Sequence, residues 1–236
     1  ARQRAEPIYR RWGLDPAAAP ATSFTIGIDT PERMAEKARR ARRRGYPILK
    51  VKLGTDDDRA RVAAVREAAP EARLRVDANA AWSPAEAIAK ADWLAAHDVE
   101  FLEQPVAADD VAGLARVREA GALPIAADES CVTAADVSTV ADAADIAVVK
   151  LEKCGGLRGA ISQITTAHAC GLETMLGCMV ASNATIAGAC HLAPLCDYAD
   201  LDGALLLASD PYDGVSMPNG EIDLASVTAG TGASPS

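Results

Sequence analysis

Short apolar, β-branched runs alternate with longer amphipathic stretches along most of the chain. The short runs are 23–29, 48–53, 74–77, 100–103, 125–128, 146–150, 174–178 and 200–202, each suited to a buried strand. Between them apolar residues recur at helical spacing, which predicts helices over 31–44, 57–69, 84–96, 110–119, 133–142, 157–169 and 183–192. Capping signals sharpen several boundaries. Ser83-Pro84 reads as an N-cap followed by a proline in the first turn, and Thr133 is placed to cap the helix after it. Gly45, Gly121 and Gly171 fall just past helix ends, where a left-handed residue is favoured.

Eight strands alternating with helices imply a parallel sheet. The alternation alone fits a closed barrel or an open sheet. Two features favour the barrel. The repeat is near 25 residues throughout, and polar residues fall at the C-terminal ends of strand after strand. In a barrel those ends converge on one site. The expected fold class is α/β, a (β/α)8 TIM-type barrel.

Composition narrows the setting. Half of the 236 residues are hydrophobic but only 4% are aromatic, so the core is built mostly from alanine and aliphatic side chains. The net charge of −9 argues against a nucleic-acid surface, which needs a basic face. No apolar run approaches the ~20 residues of a membrane span, and no apolar segment follows Ala1-Arg2-Gln3-Arg4 to make a signal peptide. The expected location is cytoplasmic. The first residue is not Met, which suggests a start part-way into a longer product. The six cysteines, at 131, 154, 170, 178, 190 and 196, form no CxxC pair and read as reduced structural thiols. The histidines at 97, 168 and 191 have no triad-like or metal-ligating neighbourhood. The arginine run at 39–44 reads as a solvated helix end, where cations complement the helix dipole. Residues 226–236 read as a small, polar tail.

Candidate chemistry sits at the strand ends. Asp77, Glu103 and Asp128 close three successive strands at spacings of 26 and 25 residues, one βα unit each. In a barrel they would converge, and unpaired carboxylates so placed would repel. A hard divalent cation resolves that repulsion, and an oxygen-only ligand set suits Mg²⁺. Lys50 and Lys52 flank Val51, so period-2 geometry puts both ammonium groups on one face. Lys150 ends the sixth strand, half a ring away from the second, so Lys52 and Lys150 would face each other across the mouth. Inward lysines at strand ends are costly unless they have a function. Neighbouring cations would lower a lysine pKa towards the range of a usable base. Two opposed bases and a metal-bound carboxylate suggest proton removal α to that carboxylate, an enediolate, and reprotonation from the other face. Elimination needs only one base and stays open.

Lys50-Val51-Lys52, Asp77-Ala78-Asn79, Glu103-Gln104-Pro105, Ala127-Asp128-Glu129-Ser130 and Val149-Lys150-Leu151-Glu152-Lys153-Cys154-Gly155-Gly156, in this order, resemble the muconate-lactonising subgroup of the enolase superfamily. The resemblance runs from about Pro7 to Leu224. It implies that Lys52 and Lys150 are the acid/base pair, that Lys50 assists Lys52, and that Asp77, Glu103 and Asp128 hold Mg²⁺. It also implies that Asn79 and Glu129 orient these groups.

The subgroup holds cycloisomerases, o-succinylbenzoate synthases, N-acylamino acid racemases and dipeptide epimerases, which fold and bases do not separate. Asp200-Leu201-Asp202 resembles the Asp-x-Asp of the dipeptide epimerases and suits a substrate ammonium. Gly177-Cys178-Met179 resembles the L-Ala-D/L-Glu epimerases of peptidoglycan recycling, although Ala181 stands where many relatives carry Glu. Cys178, Met179 and Thr25 are further candidate substrate contacts. The resemblance thus implies an isomerase acting on a small dipeptide, without nucleic-acid or membrane partners, and leaves homo-oligomerisation open. A barrel that binds ligand without turnover is the alternative from another class. Family members also carry an α+β capping domain. Residues 1–21 resemble its end, 22–208 form the expected barrel, and 209–236 are expected to return towards the cap.

Overall fold

The computed structural model describes residues 2–236. Its regular elements in chain order are α1 (Ile8–Arg11), β1 (Phe24–Ile26), α2 (Pro31–Arg43), β2 (Ile48–Lys52), α3 (Asp58–Ala68), β3 (Arg73–Asp77), α4 (Pro84–Ala95), β4 (Val99–Glu103), α5 (Val111–Ala120) and β5 (Ile125–Ala127). There follow α6 (Ala134–Val140), β6 (Ile146–Lys150), α7 (Leu151–Cys154), α8 (Leu157–Ala169), β7 (Glu173–Gly177), α9 (Asn183–Cys190), β8 (Tyr198–Ala199) and the small hairpin pair β9 (Tyr212–Asp213) and β10 (Ser234–Pro235).

Strands β1 to β8 pair in sequence order, and all these pairs are parallel. A parallel bridge between Thr22 and Ala199, with the Ser23 N–H donating to the Ala199 carbonyl at 3.1 Å, brings β8 back to β1 and completes the ring. The barrel expected from the repeat is therefore present.

Local signals act where the sequence placed them. The Ser83 N–H donates to Glu86 and the Glu86 N–H to Ser83 Oγ, a reciprocal cap on α4. Asp136 accepts from the Thr133 N–H at 2.8 Å at the start of α6. Gly45, Gly121 and Gly171 take φ of +89°, +73° and +79° past their helices.

Two expectations shift. The eighth strand is Tyr198–Ala199, not 200–202, because the Asp200 N–H makes the last bond to β7, at Leu176, and the chain then leaves the sheet in a 3-10 turn at Gly203–Leu206. The first strand is only Phe24–Ile26, since Ser23 and Thr22 serve the closure with β8.

Apolar side chains fill the space between sheet and helices, for example Leu49, Val51, Leu74, Val76 and Leu102 against Met34, Val62, Val65 and Leu94. Inside the ring the lower layer is Phe101, Ala126, Ile146, Val148 and Met175, with Tyr198 packed against them. Arg75 lies buried in that layer, its guanidinium 2.7 Å from Glu100 and 5.2 and 5.0 Å from the Phe101 and Tyr198 rings. The layer above it is charged and forms the site.

Both chain ends lie over α9. The Tyr9 N–H donates to His191 Nδ1 at 3.1 Å, their rings stack at 5.7 Å, and Pro7 bridges to Gly230. No helix among the described residues is long and apolar enough to cross a membrane.

Candidate active site

Register builds the charged layer. Lys52 stands opposite Asp77, and Asp77 opposite Glu103, on the paired strands β2, β3 and β4. Lys50 is two residues below Lys52 on the same face, and Asp128 and Lys150 end or follow β5 and β6. The C-terminal mouth above them holds a cavity of about 360 Å³. Lys50, Lys52, Asp128, Lys150, Asp200 and Asp202 all line it, and so do Thr25, Asn79, Glu129, Cys178 and Met179. Asp77 and Glu103 lie fully buried beneath.

The acids and lysines interlock. Lys50 Nζ is 3.1 Å from Asp77, 2.6 Å from Glu103 and 2.8 Å from Asp200. Lys52 Nζ donates to Asp77 Oδ2 at 2.6 Å and to Asn79 Oδ1 at 2.9 Å. Lys150 Nζ donates to Asp128 Oδ2 at 2.6 Å, and Lys153 Nζ to Asp128 Oδ1 at 2.7 Å. Asn79 Nδ2 donates to Glu129 at 3.3 Å, so this pair spans the β3 and β5 ends.

Burial and charge compete at each group. Burial would raise Asp77, but Lys50 and Lys52 hold it well below the carboxylate range. Glu103 goes the other way: burial, then Asp77, push it up to about 8 despite Lys50. Burial would lower Lys50, but Asp200, Glu103 and Asp77 raise it well above its ordinary value. Lys150 is also raised, because Asp128 and Glu103 outweigh burial and Lys50. That corrects the expectation of a lowered lysine: the carboxylates around it exert more than its fellow cations.

Among the described residues, no three His, Cys, Asp or Glu side chains are gathered, as they stand, to hold a metal ion. Lysine ammonium groups cap the oxygens of Asp77 and Asp128 instead. The donor set nonetheless fits a hard cation. Among the described residues, both buried Glu103 oxygens accept no hydrogen bond, and Oε2 has only the ion pair to Lys50. A buried carboxylate left so is a costly arrangement that a divalent ion relieves.

The Asp-x-Asp pair splits. Asp200 accepts from Ser23 Oγ at 2.5 Å and from Lys50, which together hold it below its usual range against burial. Asp202 accepts from the Thr25 N–H at 2.6 Å and from Thr25 Oγ1 at 3.2 Å. Burial, then Asp200, push Asp202 up to about 7. Cys178 is half-buried and Met179 is exposed at the rim.

Several participants were not singled out from sequence. Lys153 shares Asp128 with Lys150. Gln104, in the Glu103-Gln104-Pro105 motif, accepts from the Asp128 and Ser130 N–H groups at 3.0 and 3.1 Å and so fixes the β5 exit. Gln104, Asn79 and Ala80 adopt φ of +36°, +43° and +62°, left-handed strain concentrated at strand ends beside the site. Gly177 leaves room for Lys150: a Cβ there would meet Lys150 Cε at 3.0 Å.

The family described as enolase C-terminal domain-like matches residues 33–235, and the chain belongs to it. Among curated relatives, an L-Ala-D/L-amino acid epimerase of Maribacter sp. is 42% identical over 214 residues, 90% of this chain and 62% of its own length. The L-Ala-D/L-Glu epimerase of Bacteroides thetaiotaomicron is 37% identical over 219 residues, 92% of this chain and 57% of its own. The chain thus spans about three-fifths of the length of these relatives. Among solved structures, the dipeptide epimerase of Enterococcus faecalis complexed with Mg and the dipeptide L-Leu-L-Tyr superposes with a TM-score of 0.91 at 36% identity. That match covers 98% of this chain and 68% of the other.

Proposed function

We propose that the protein is a Mg²⁺-dependent dipeptide epimerase of the L-Ala-D/L-Glu type. The observation that carries the reading is one cavity lined by Lys52 from β2 and Lys150 from β6, with Asp200 and Asp202 on its wall and the Asp77–Glu103–Asp128 carboxylates at its base. The relatives' names support the same reaction class.

Asp77, Glu103 and Asp128 would hold the ion. Bound Mg²⁺ would supply positive charge to the substrate's terminal carboxylate as its α-proton leaves. Lys52 and Lys150 act on the two faces of the α-carbon: one, as the free amine, takes the proton, and the other, as the ammonium, returns one to the opposite face. Each starts the reverse reaction in the opposite state, so the pair interconverts both epimers. Lys50, held charged by three carboxylates, stays an ammonium and offsets negative charge developing on the enediolate. Asp202, whose side chain among the described residues accepts only from Thr25 and pairs with no cation, is the wall carboxylate available to a substrate ammonium, and Asp200 adds negative charge behind it. In the cell such an enzyme would serve peptidoglycan recycling in the cytoplasm.

The test is epimerisation of L-Ala-L-Glu with Mg²⁺ in deuterated water. Inverted product carrying one deuterium at the glutamate α-carbon is expected, and N-acetylation of the dipeptide should abolish turnover. Equal turnover of the N-acetylated compound would sink the dipeptide assignment. Absence of α-deuterium in the product would sink the proton-transfer chemistry.

A further inference from the structure

We propose that Lys153 is a built-in counter-cation that holds the Oδ1 oxygen of Asp128 and is displaced from it when a divalent cation binds; the proposal rests on the metal site of the function proposed above. The Lys153 ammonium lies 2.7 Å from Asp128 Oδ1, while Lys150 takes Oδ2 of the same carboxylate at 2.6 Å. The Asp128 side chain is 1% exposed, and among the described residues its two oxygens accept from these ammonium groups alone.

The two lysines are not equivalent. Lys150 closes strand β6, its side chain is 6% exposed, and Glu103 adds to its hold. Lys153 sits three residues on in the one-turn helix α7, which brings it back over the same face. That helix ends at once in Gly155 and Gly156, both left-handed, at φ of +85° and +93°. The Lys153 side chain is 17% exposed, and its ammonium has no partner but Asp128 among the described residues. It can therefore withdraw into the cavity it lines without leaving another acid unpaired.

Asp128 is where the exchange happens. Among the described residues Glu103 offers Oε1 without a partner while Oε2 is paired with Lys50, and at Asp77 Oδ1 accepts from the Asn79 N–H at 2.8 Å while Lys50 and Lys52 share Oδ2. A cation entering beside Glu103 meets at Asp128 either the buried, strand-fixed Lys150 or the more exposed Lys153 on α7. Displacing Lys153 keeps Lys150 in place for its proton. It also sets the cost of loading, since two cations cannot share Oδ1 and repel each other at such range.

The experiment is Mg²⁺ titration by calorimetry, with melting temperatures in EDTA and in saturating Mg²⁺, on the wild type, Lys153→Met and Lys153→Arg. Lys153→Met is expected to bind Mg²⁺ about tenfold more tightly. It should melt lower than the wild type in EDTA, where Asp128 has lost a partner, and show a larger Mg²⁺-induced rise. Lys153→Arg keeps the charge and should stay within about twofold of the wild-type Kd. A purely structural lysine would lower both melting temperatures alike and leave the Kd unchanged. An unchanged or weaker Mg²⁺ Kd in Lys153→Met overturns the proposal and leaves the epimerase reading standing. If the wild type itself binds no Mg²⁺, the metal site fails and this proposal with it.

Discussion

Lys50 and Asp200, 150 residues apart in sequence, meet at 2.8 Å inside the ring and tie the second strand to the exit of the eighth. Lys50 is 2% exposed and also neutralises Asp77 and Glu103. Lys50→Met therefore removes a cation from three buried carboxylates at once and leaves Glu103 without an ion pair among the described residues, while Asp77 keeps Lys52 and Asp200 keeps Ser23. It should cost about 3–5 kcal/mol, as removal of one partner from a buried ion pair does. Asp200→Asn leaves Lys50 with two acids and should cost about 1–2 kcal/mol. Urea unfolding of the two variants gives the order, and an equal or reversed order contradicts the shared-lysine account.

The clearance over Gly177 leads to a prediction about rate. An alanine Cβ there would press on Lys150 Cε at 3.0 Å and Cγ at 3.3 Å. Lys150, with Val148 Cγ1 beside it at 3.2 Å, would have to shift by a few tenths of an ångström. Gly177→Ala is expected to lower kcat by about three- to tenfold, because Lys150 need give only a few tenths of an ångström and a full ångström of misplacement costs about a hundredfold. KM should hold, since no group proposed to bind the carboxylate or ammonium moves. A loss confined to KM would contradict the steric argument.

The barrel was legible in the sequence because each strand end repeats the same event. Asp77, Glu103 and Asp128 recur one βα unit apart, and the structure sets the first two in register on neighbouring strands. The lysines at 50, 52 and 150 were legible for the same reason. The ends of the ring were not. Asp200 reads as strand but lies just past β8, because closure with β1 runs through Thr22 and Ser23, a contact across almost 180 residues that no local pattern carries. Arg75 was silent as well. Its burial depends on Glu100 one strand over and on the Phe101 and Tyr198 rings, which only the closed ring assembles. Lys153 stood in its motif with no role of its own, since the sequence does not reveal that α7 folds back over Asp128.

The two proposed bases should separate by isotope labelling. Lys52 holds Asp77 and Asn79 at the β2 end, and Lys150 holds Asp128 at the β6 end. In the proposed reaction each would serve one face of the α-carbon. Lys52→Ala and Lys150→Ala should each lose epimerisation by at least about 10²–10⁴-fold, the usual contribution of a positioned acid or base. Each should still exchange the α-proton of one epimer, and the two variants should exchange opposite epimers. Mass spectrometry of each pure epimer incubated in deuterated water reads this directly. Equal exchange of both epimers by Lys150→Ala would refute the two-base arrangement.

Asp202 gives the pH prediction. Burial, then the neighbouring Asp200, raise it to about 7, from 3.8 when unfolded. The folded state therefore binds the proton more tightly than the unfolded chain. Stability from this group is complete below pH about 4, declines as pH rises between the two values, and is lost above pH 7. A shift of this size corresponds to roughly 4 kcal/mol at most. Asp202→Asn cannot ionise. Its stability relative to the wild type should rise between pH 4 and 7 and then level off, as urea titrations across that range would record. Function should run the other way. A substrate ammonium needs the ionised carboxylate, so wild-type dipeptide affinity is expected to improve as pH rises through 7. Bound ammonium should itself favour ionisation and pull the apparent midpoint below that of the free protein. Asp202→Asn should bind dipeptide at least tenfold more weakly at pH 8 and lose the pH dependence. If Asp202→Asn kept wild-type affinity at pH 8, Asp202 would not be the ammonium's partner, and Asp200 would have to leave Lys50 to take that part.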